Sequence, residues 1–235
     1  MNASLRLSLA AVATLLCTAA EAHISVLSGP FIAGNSQELT FNIAHGCSGA
    51  DTFRIEIHLP EGVTSVRPLD SVFGKAALSK DANGAVKSVV WTKPAAEVLP
   101  GDTHLYRVGL SAMLPNKPFT TLYFPTFQSC RAADGTESTV EWIATGGGHD
   151  HGGGTGPSAN PAPAVFLLPE RAPGWNKYTV DQHVHDMAVF KDAQIVWAGK
   201  TAYSPNPLVR SLIEREPDTQ MLQEIHPGTE IWIKY

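Results

Sequence analysis

Cysteine is scarce in this 235-residue chain, which holds three, and its basic residues nowhere gather into a block. With a net charge of −5 and no basic patch, the sequence offers little to a nucleic-acid backbone, and no nucleic-acid partner is expected. Three catalytic signatures are also missing: Gly-x-Ser-x-Gly, His-Glu-x-x-His and a phosphate-binding glycine loop. No well-marked enzyme class is left by their absence. The apolar run at residues 7–16 is too short to cross a bilayer as a permanent helix.

What that run does fit is an export signal. Arg6 precedes it, small residues follow it, and Ala20-Glu21-Ala22 has the small-x-small form that a signal peptidase cuts. Residues 1–22 are therefore expected to be a signal peptide, and the protein to be periplasmic or secreted. Cys17 admits a lipoprotein signal instead, but Leu16 stands where that pathway takes a small residue. Cleavage after Ala22 leaves 213 residues, room for one large or two small domains. Only Cys47 and Cys130 then remain. In an oxidising compartment they are expected to form a structural disulfide closing a long loop. The competing reading makes them thiolate metal ligands, against which neither has a second cysteine at zinc-site spacing.

Residues 23–145 read as short strands and turns. Segments 39–43, 53–59, 86–91, 104–110 and 120–124 alternate apolar with polar side chains. Between them lie Pro60-Glu-Gly62, Asp81-Ala-Asn-Gly84, Leu99-Pro-Gly-Asp102 and Leu114-Pro-Asn-Lys-Pro118, which are turn chemistry. Many short strands without a long helix predict an antiparallel β-sandwich. Residues 146–163, rich in glycine, proline and histidine, have little to bury and read as a flexible linker. The remaining 164–235 read as a small α+β module or an extension packed on the sandwich. It carries strand signals at 188–190, 194–198 and 230–235. A short helix is expected after Asn206, with Pro207 at its first position and Leu208, Leu212 and Ile213 on one face.

Cleavage after Ala22 would make His23 the first residue of the mature chain. Its free amine and its Nδ1 could then close a six-membered chelate, which a histidine inside a chain cannot do. An N/O donor set of this kind favours Cu(II). The amine must lose a proton to bind, so the chelate is tied to pH. The plainer reading is that the signal merely ends before a histidine. His45, in Ala44-His-Gly-Cys47, is a second candidate because it ends a strand beside the presumed disulfide; the alternative is a solvated turn histidine. Asp51 is a possible carboxylate ligand from the same loop. His58 and His104 read as ordinary strand histidines, and Trp142 as a core residue.

Two further groups lie downstream. His149-Asp-His151 sits among glycines and could meet a passing metal, or simply be a solvated linker. In His183-Val-His185-Asp-Met187, period-two spacing would gather two imidazoles and a thioether on one face of a strand, a softer set suited to Cu(I). The alternative packs Met187 inward and leaves the histidines in water.

Several motifs in order resemble one known family, the YcnI-like domain, over residues 23–145. They are the Ala-His junction, the Ala44-His-Gly-Cys47 turn, Leu59-Pro-Glu-Gly-Val63, Trp91, Leu122-Tyr-Phe-Pro125, Gln128-Ser-Cys130 and Glu141-Trp142. The resemblance implies a cupredoxin- or fibronectin-like sandwich and copper handling outside the cytoplasm. It also implies a copper brace of the mature terminal histidine, a glutamate and a nearby tryptophan. The histidine carries over to His23 and the tryptophan to Trp142. The glutamate does not carry over: His45 or Asp51 stands in, or the position is empty. On this reading copper is the bound cofactor, and other copper-handling exported or membrane proteins are the expected partners. A copper oxidase or monooxygenase with the same brace, or a purely structural sandwich, are the alternatives.

Overall fold

The computed structural model describes residues 23–145 and 160–235. The expected signal peptide and the pair His149 and His151 lie outside the described residues. In chain order the first part forms β1 (Ser25–Val26), β2 (Phe31–Ile32), β3 (Ser36–Ile43), β4 (Asp51–His58), β5 (Thr64–Pro68), β6 (Ala77–Lys80), β7 (Val86–Thr92), β8 (Tyr106–Met113), β9 (Thr121–Tyr123), β10 (Thr126–Arg131), β11 (Glu137–Ala144), β12 (Asn160–Pro161) and β13 (Ala164–Leu168). A four-stranded sheet in the order β1-β3-β8-β5 and a six-stranded sheet in the order β12-β11-β10-β4-β7-β6 make the sandwich. Alternation explains the packing between them. Leu39, Phe41 and Ile43 of β3 and Val108 and Leu110 of β8 turn inward, as do Ile55 and Ile57 of β4 and Val89 and Trp91 of β7, all at or near zero exposure.

The sandwich does not end at residue 145. β12 runs parallel to β11, β13 pairs with β2 and β9, and Val165 and Leu167 enter the sandwich core. Proline and alanine make 160–163 look like linker, and the short apolar stretch that follows supplies only two buried side chains. Its tie to the sandwich is visible only through its strand partners.

The rest of the chain forms β14 (Trp175–Thr179), β15 (Ile195–Ala198), β16 (Thr201–Tyr203), α1 (Pro207–Ile213), β17 (Gln220–Met221) and β18 (Glu230–Lys234), with sheet order β14-β18-β15-β16-β17. This module has its own core, built on Val180, Val184, Met187, Phe190, Val196, Ile225, Ile231 and Ile233. Phe119, from the sandwich segment before β9, completes it, meeting Tyr178 and Phe190 at 5.4 Å each. The module is thus docked on the sandwich. The helix begins as expected, with the Asn206 side chain accepting from Leu208 N at 2.9 Å. Its apolar face is narrower than expected: Ile213 is buried, while Leu208 and Leu212 are exposed.

Residues 187–190 form a 3-10 turn rather than a strand. Asp186 ends the extended run, its carboxylate accepting from Ala188 N at 2.8 Å. That turn swings Met187 into the core at 8% exposure, so Met187 is a packing residue and not a member of an exposed ligand face.

Candidate metal centre

His23 is held in place from its C-terminal side. Ile24 is buried in the sandwich core, and Ser25 and Val26 pair with Asn42 and Phe41 of β3. The imidazole lies against Trp142 of β11, with ring centroids 6.0 Å apart and planes tilted by 58°.

Trp142 is fixed by a buried chain of hydrogen bonds. Its indole N–H donates to Gln128 Oε1 at 3.1 Å, and the Gln128 amide donates to the His45 carbonyl at 2.6 Å and to Thr52 Oγ1 at 2.8 Å. Gln128 is 1% exposed, and these bonds engage both its donor and its acceptor ends. With its N–H committed, Trp142 can meet a cation only through its π face. Gln128 is a positioning residue that sequence reasoning did not single out, although it stands in the Gln128-Ser-Cys130 motif.

The disulfide lies in the same layer. Cys47 and Cys130 are bonded with Cα atoms 5.7 Å apart, and Cys47 N also donates to Cys130 Sγ. The cysteines are therefore not thiolate ligands. Gly46 is required by close approach, since a Cβ there would collide with the carbonyl of Ala50. This tight turn leaves the His45 side chain exposed, with Nδ1 3.5 Å from Asp102 Oδ2, while Gly46 N donates to the same oxygen at 2.6 Å. At 3.5 Å this is a contact and not a short hydrogen bond, so the exposed ring is only loosely placed. Asp102 was not singled out in the sequence either.

Asp51 has another role. It is fully buried and accepts from Lys93 Nζ, Leu99 N and Tyr106 Oη, each at 2.8 Å. Lys93 is buried too and lies 3.8 Å from the centre of the Tyr106 ring. Burial, and then the bond to Asp51, push the Tyr106 hydroxyl well above the usual tyrosine range. An aspartate with both oxygens engaged in a dry ion pair cannot serve as the missing carboxylate ligand. It ties β4, β8 and the loop before β8 together.

His58, at the end of β4, and His104, which lies in the loop before β8 rather than in the expected strand, are ordinary. His58 Nε2 pairs with Glu56 Oε1 at 2.9 Å, and His104 Nδ1 meets Thr103 Oγ1 at 2.8 Å. Desolvation opposes ionisation of Glu56, but bonds from Arg54 and His58 outweigh it and hold its carboxyl below the usual value.

His183 and His185 do come together, with ring centroids 3.8 Å apart. Their companions are Glu224 and His226 rather than Met187. A signal for these was present: Glu224-Ile-His226 repeats the x-spacing of His183-Val-His185.

Among the described residues no helix is long and apolar enough to cross a membrane. No curated protein matches the chain. A crystal structure of an uncharacterized protein from Nocardia farcinica with an immunoglobulin-like fold is similar, at 25% identity and a TM-score of 0.48, covering 62% of this chain and 98% of that one. The major pilin subunit BcpA of Bacillus cereus is more distant, at 6% identity and a TM-score of 0.38, covering 68% of this chain and 42% of the pilin. A family described as a domain of unknown function, DUF1775, matches residues 23–168, which includes β12 and β13. The chain belongs to the DUF1775 family, of which the YcnI-like domains are members.

Proposed function

We propose that the protein is an exported copper-binding protein acting in copper acquisition, storage or delivery, and that it binds Cu(II) through His23 once the signal peptide has been removed. The observation that carries this reading is the His23 imidazole lying 6.0 Å from a tryptophan whose indole N–H is locked away by Gln128. The donor set fits the ion. The freed amine and Nδ1 of one residue form the chelate, and the Trp142 face shields it. His45 remains the candidate for a further nitrogen, since Asp51 is consumed elsewhere. The test is titration of the mature chain with Cu(II), followed by electron paramagnetic resonance. The expected spectrum contains a nitrogen-coordinated component that is lost in His23→Ala. An unaltered signal in that variant would end the proposal.

A second reading, a copper-dependent oxidase or monooxygenase, is favoured by one observation. Trp175, Trp197 and Trp232 line an open hollow on the module sheet, with Trp197 and Trp232 paired across β15 and β18. Exposed aromatic faces of this kind stack on flat substrates. Reductant-dependent oxidation of a bound polysaccharide by the copper-loaded protein would support it, and copper binding without turnover would leave the carrier reading.

A further inference from the structure

The module presents a second cluster of metal-ligating side chains, built on a two-strand ribbon. Val184 and Ile225 form an antiparallel bridge in which each backbone N–H donates to the other's carbonyl at 2.9 Å. Both side chains are buried, at 3% and 1% exposure. Because a pleated backbone alternates faces, the residues flanking them emerge on the opposite, solvent side. His183 then stands across from His226, and His185 across from Glu224.

Side-chain distances follow that register. Glu224 Oε2 lies 3.3 Å from His183 Nε2 and 3.3 Å from His185 Nδ1, and its Oε1 lies 3.4 Å from His226 Nε2. The rings of His183 and His226 are 4.4 Å apart. One ligating atom each from His183, Glu224 and His226 falls within 4.8 Å of the others.

We propose that His183, Glu224 and His226 form a binding site for a borderline divalent cation, Zn²⁺ or Cu²⁺, with His185 or water completing the coordination. The donor chemistry decides the class of ion. Two or three imidazoles and one carboxylate suit Zn²⁺ and Cu²⁺, whereas Cu(I) favours sulfur, and Met187 is turned into the core. The spacing permits it: one ligand atom from each of His183, Glu224 and His226 lies within 4.8 Å of the others, and a modest inward shift of these exposed side chains brings them to the about 3.3–3.4 Å that ligands about 2.0–2.1 Å from a tetrahedral ion span. The scaffold is rigid because the two residues that set the register belong to the module core. Such an ion would clamp the 183–185 segment to the 224–226 segment. The site uses no atom of His23 and needs no processing.

The full chain carrying extra residues before His23, which blocks the terminal chelate, is titrated with Zn²⁺ alone by calorimetry. One tight equivalent is expected. In His183→Ala/His226→Ala the affinity of that equivalent should fall by well over tenfold. Glu224→Gln should lower it by at least about tenfold, as loss of a direct ligand costs no less than loss of a supporting group. Met187→Leu should keep it. The substituted polar side chains are exposed, so the metal-free unfolding midpoint should stay unchanged in the polar variants. Zn²⁺ binding that persists at full strength in the double variant, or no tight equivalent in the starting chain, would overturn the site. Neither result bears on the His23 chelate, which is blocked throughout.

Discussion

The rings of His23 and Trp142 lie 6.0 Å apart, one fixed by the buried Ile24 beside it and the other by Gln128. The first consequence concerns processing. The chelate needs an amine, and an amide cannot replace it. In a His183→Ala/His226→Ala background, protein retaining one residue before His23 is expected to lose most of its Cu(II) affinity, measured by competition with a chromogenic chelator. Equal affinity in extended and mature chains would rule the terminal chelate out.

Trp142 should report the metal. Copper near an indole quenches its fluorescence, and in a His183→Ala/His226→Ala background Trp142→Phe should remove the copper-sensitive part of the emission while leaving that of Trp91 and the three module tryptophans. Gln128→Ala should act indirectly. It strands a buried indole N–H and the His45 carbonyl, costing about 1–3 kcal/mol for each unsatisfied group, and it loosens Trp142. Quenching that persists undiminished in Trp142→Phe would place the metal elsewhere.

The disulfide prediction is thermodynamic. Cys47 and Cys130 are 83 positions apart, and closing so long a loop is worth on the order of 4 kcal/mol in the chain-entropy model. Reduction should therefore lower the urea midpoint strongly. Mass spectrometry of the unreduced protein should find no free thiol at either position, and two free thiols would contradict the bond.

How much of this was legible in the sequence depends on the length scale of the signal. Strands with several inward residues, such as Leu39, Phe41 and Ile43, announce themselves by alternation. Two-residue strands such as Ser25–Val26 and Asn160–Pro161 cannot, because two positions hold no period; only their partners define them. Met187 shows the limit of period-two reasoning. The spacing 183, 185, 187 is correct as far as Asp186, where a side-chain bond to Ala188 N turns the chain and sends the third residue inward. Asp51 fails for a different reason. A lone aspartate in a loop looks available, and its partners Lys93 and Tyr106 lie 42 and 55 positions away. The Glu224-Ile-His226 spacing was visible, but its meeting with His183 and His185 was not, since nothing local says that Ile225 bridges Val184.

The buried Asp51, Lys93 and Tyr106 group gives the last prediction, which separates structure from metal binding. Asp51→Ala leaves Lys93 buried without a counter-charge, a change that costs about 3–5 kcal/mol when a buried pair is broken. Lys93→Ala should cost a similar amount from the other side. Tyr106→Phe is gentler and tests pH. Burial first, and the Asp51 bond second, raise the Tyr106 hydroxyl above its ordinary value of 10.0, so the folded protein holds that proton where the unfolded chain releases it. The stability this provides is fully present below about pH 10 and is lost progressively as pH rises from there toward the raised folded value. Tyr178 and Tyr235 are raised as well and contribute in the same direction, so the informative quantity is the difference between wild type and Tyr106→Phe. Urea midpoints measured from pH 8 to pH 11 should fall less steeply in Tyr106→Phe than in wild type above pH 10. Parallel profiles would show that Tyr106 titrates alike in the folded and unfolded chains. Cu(II) affinity at His23, measured at neutral pH in the same variant, should not change.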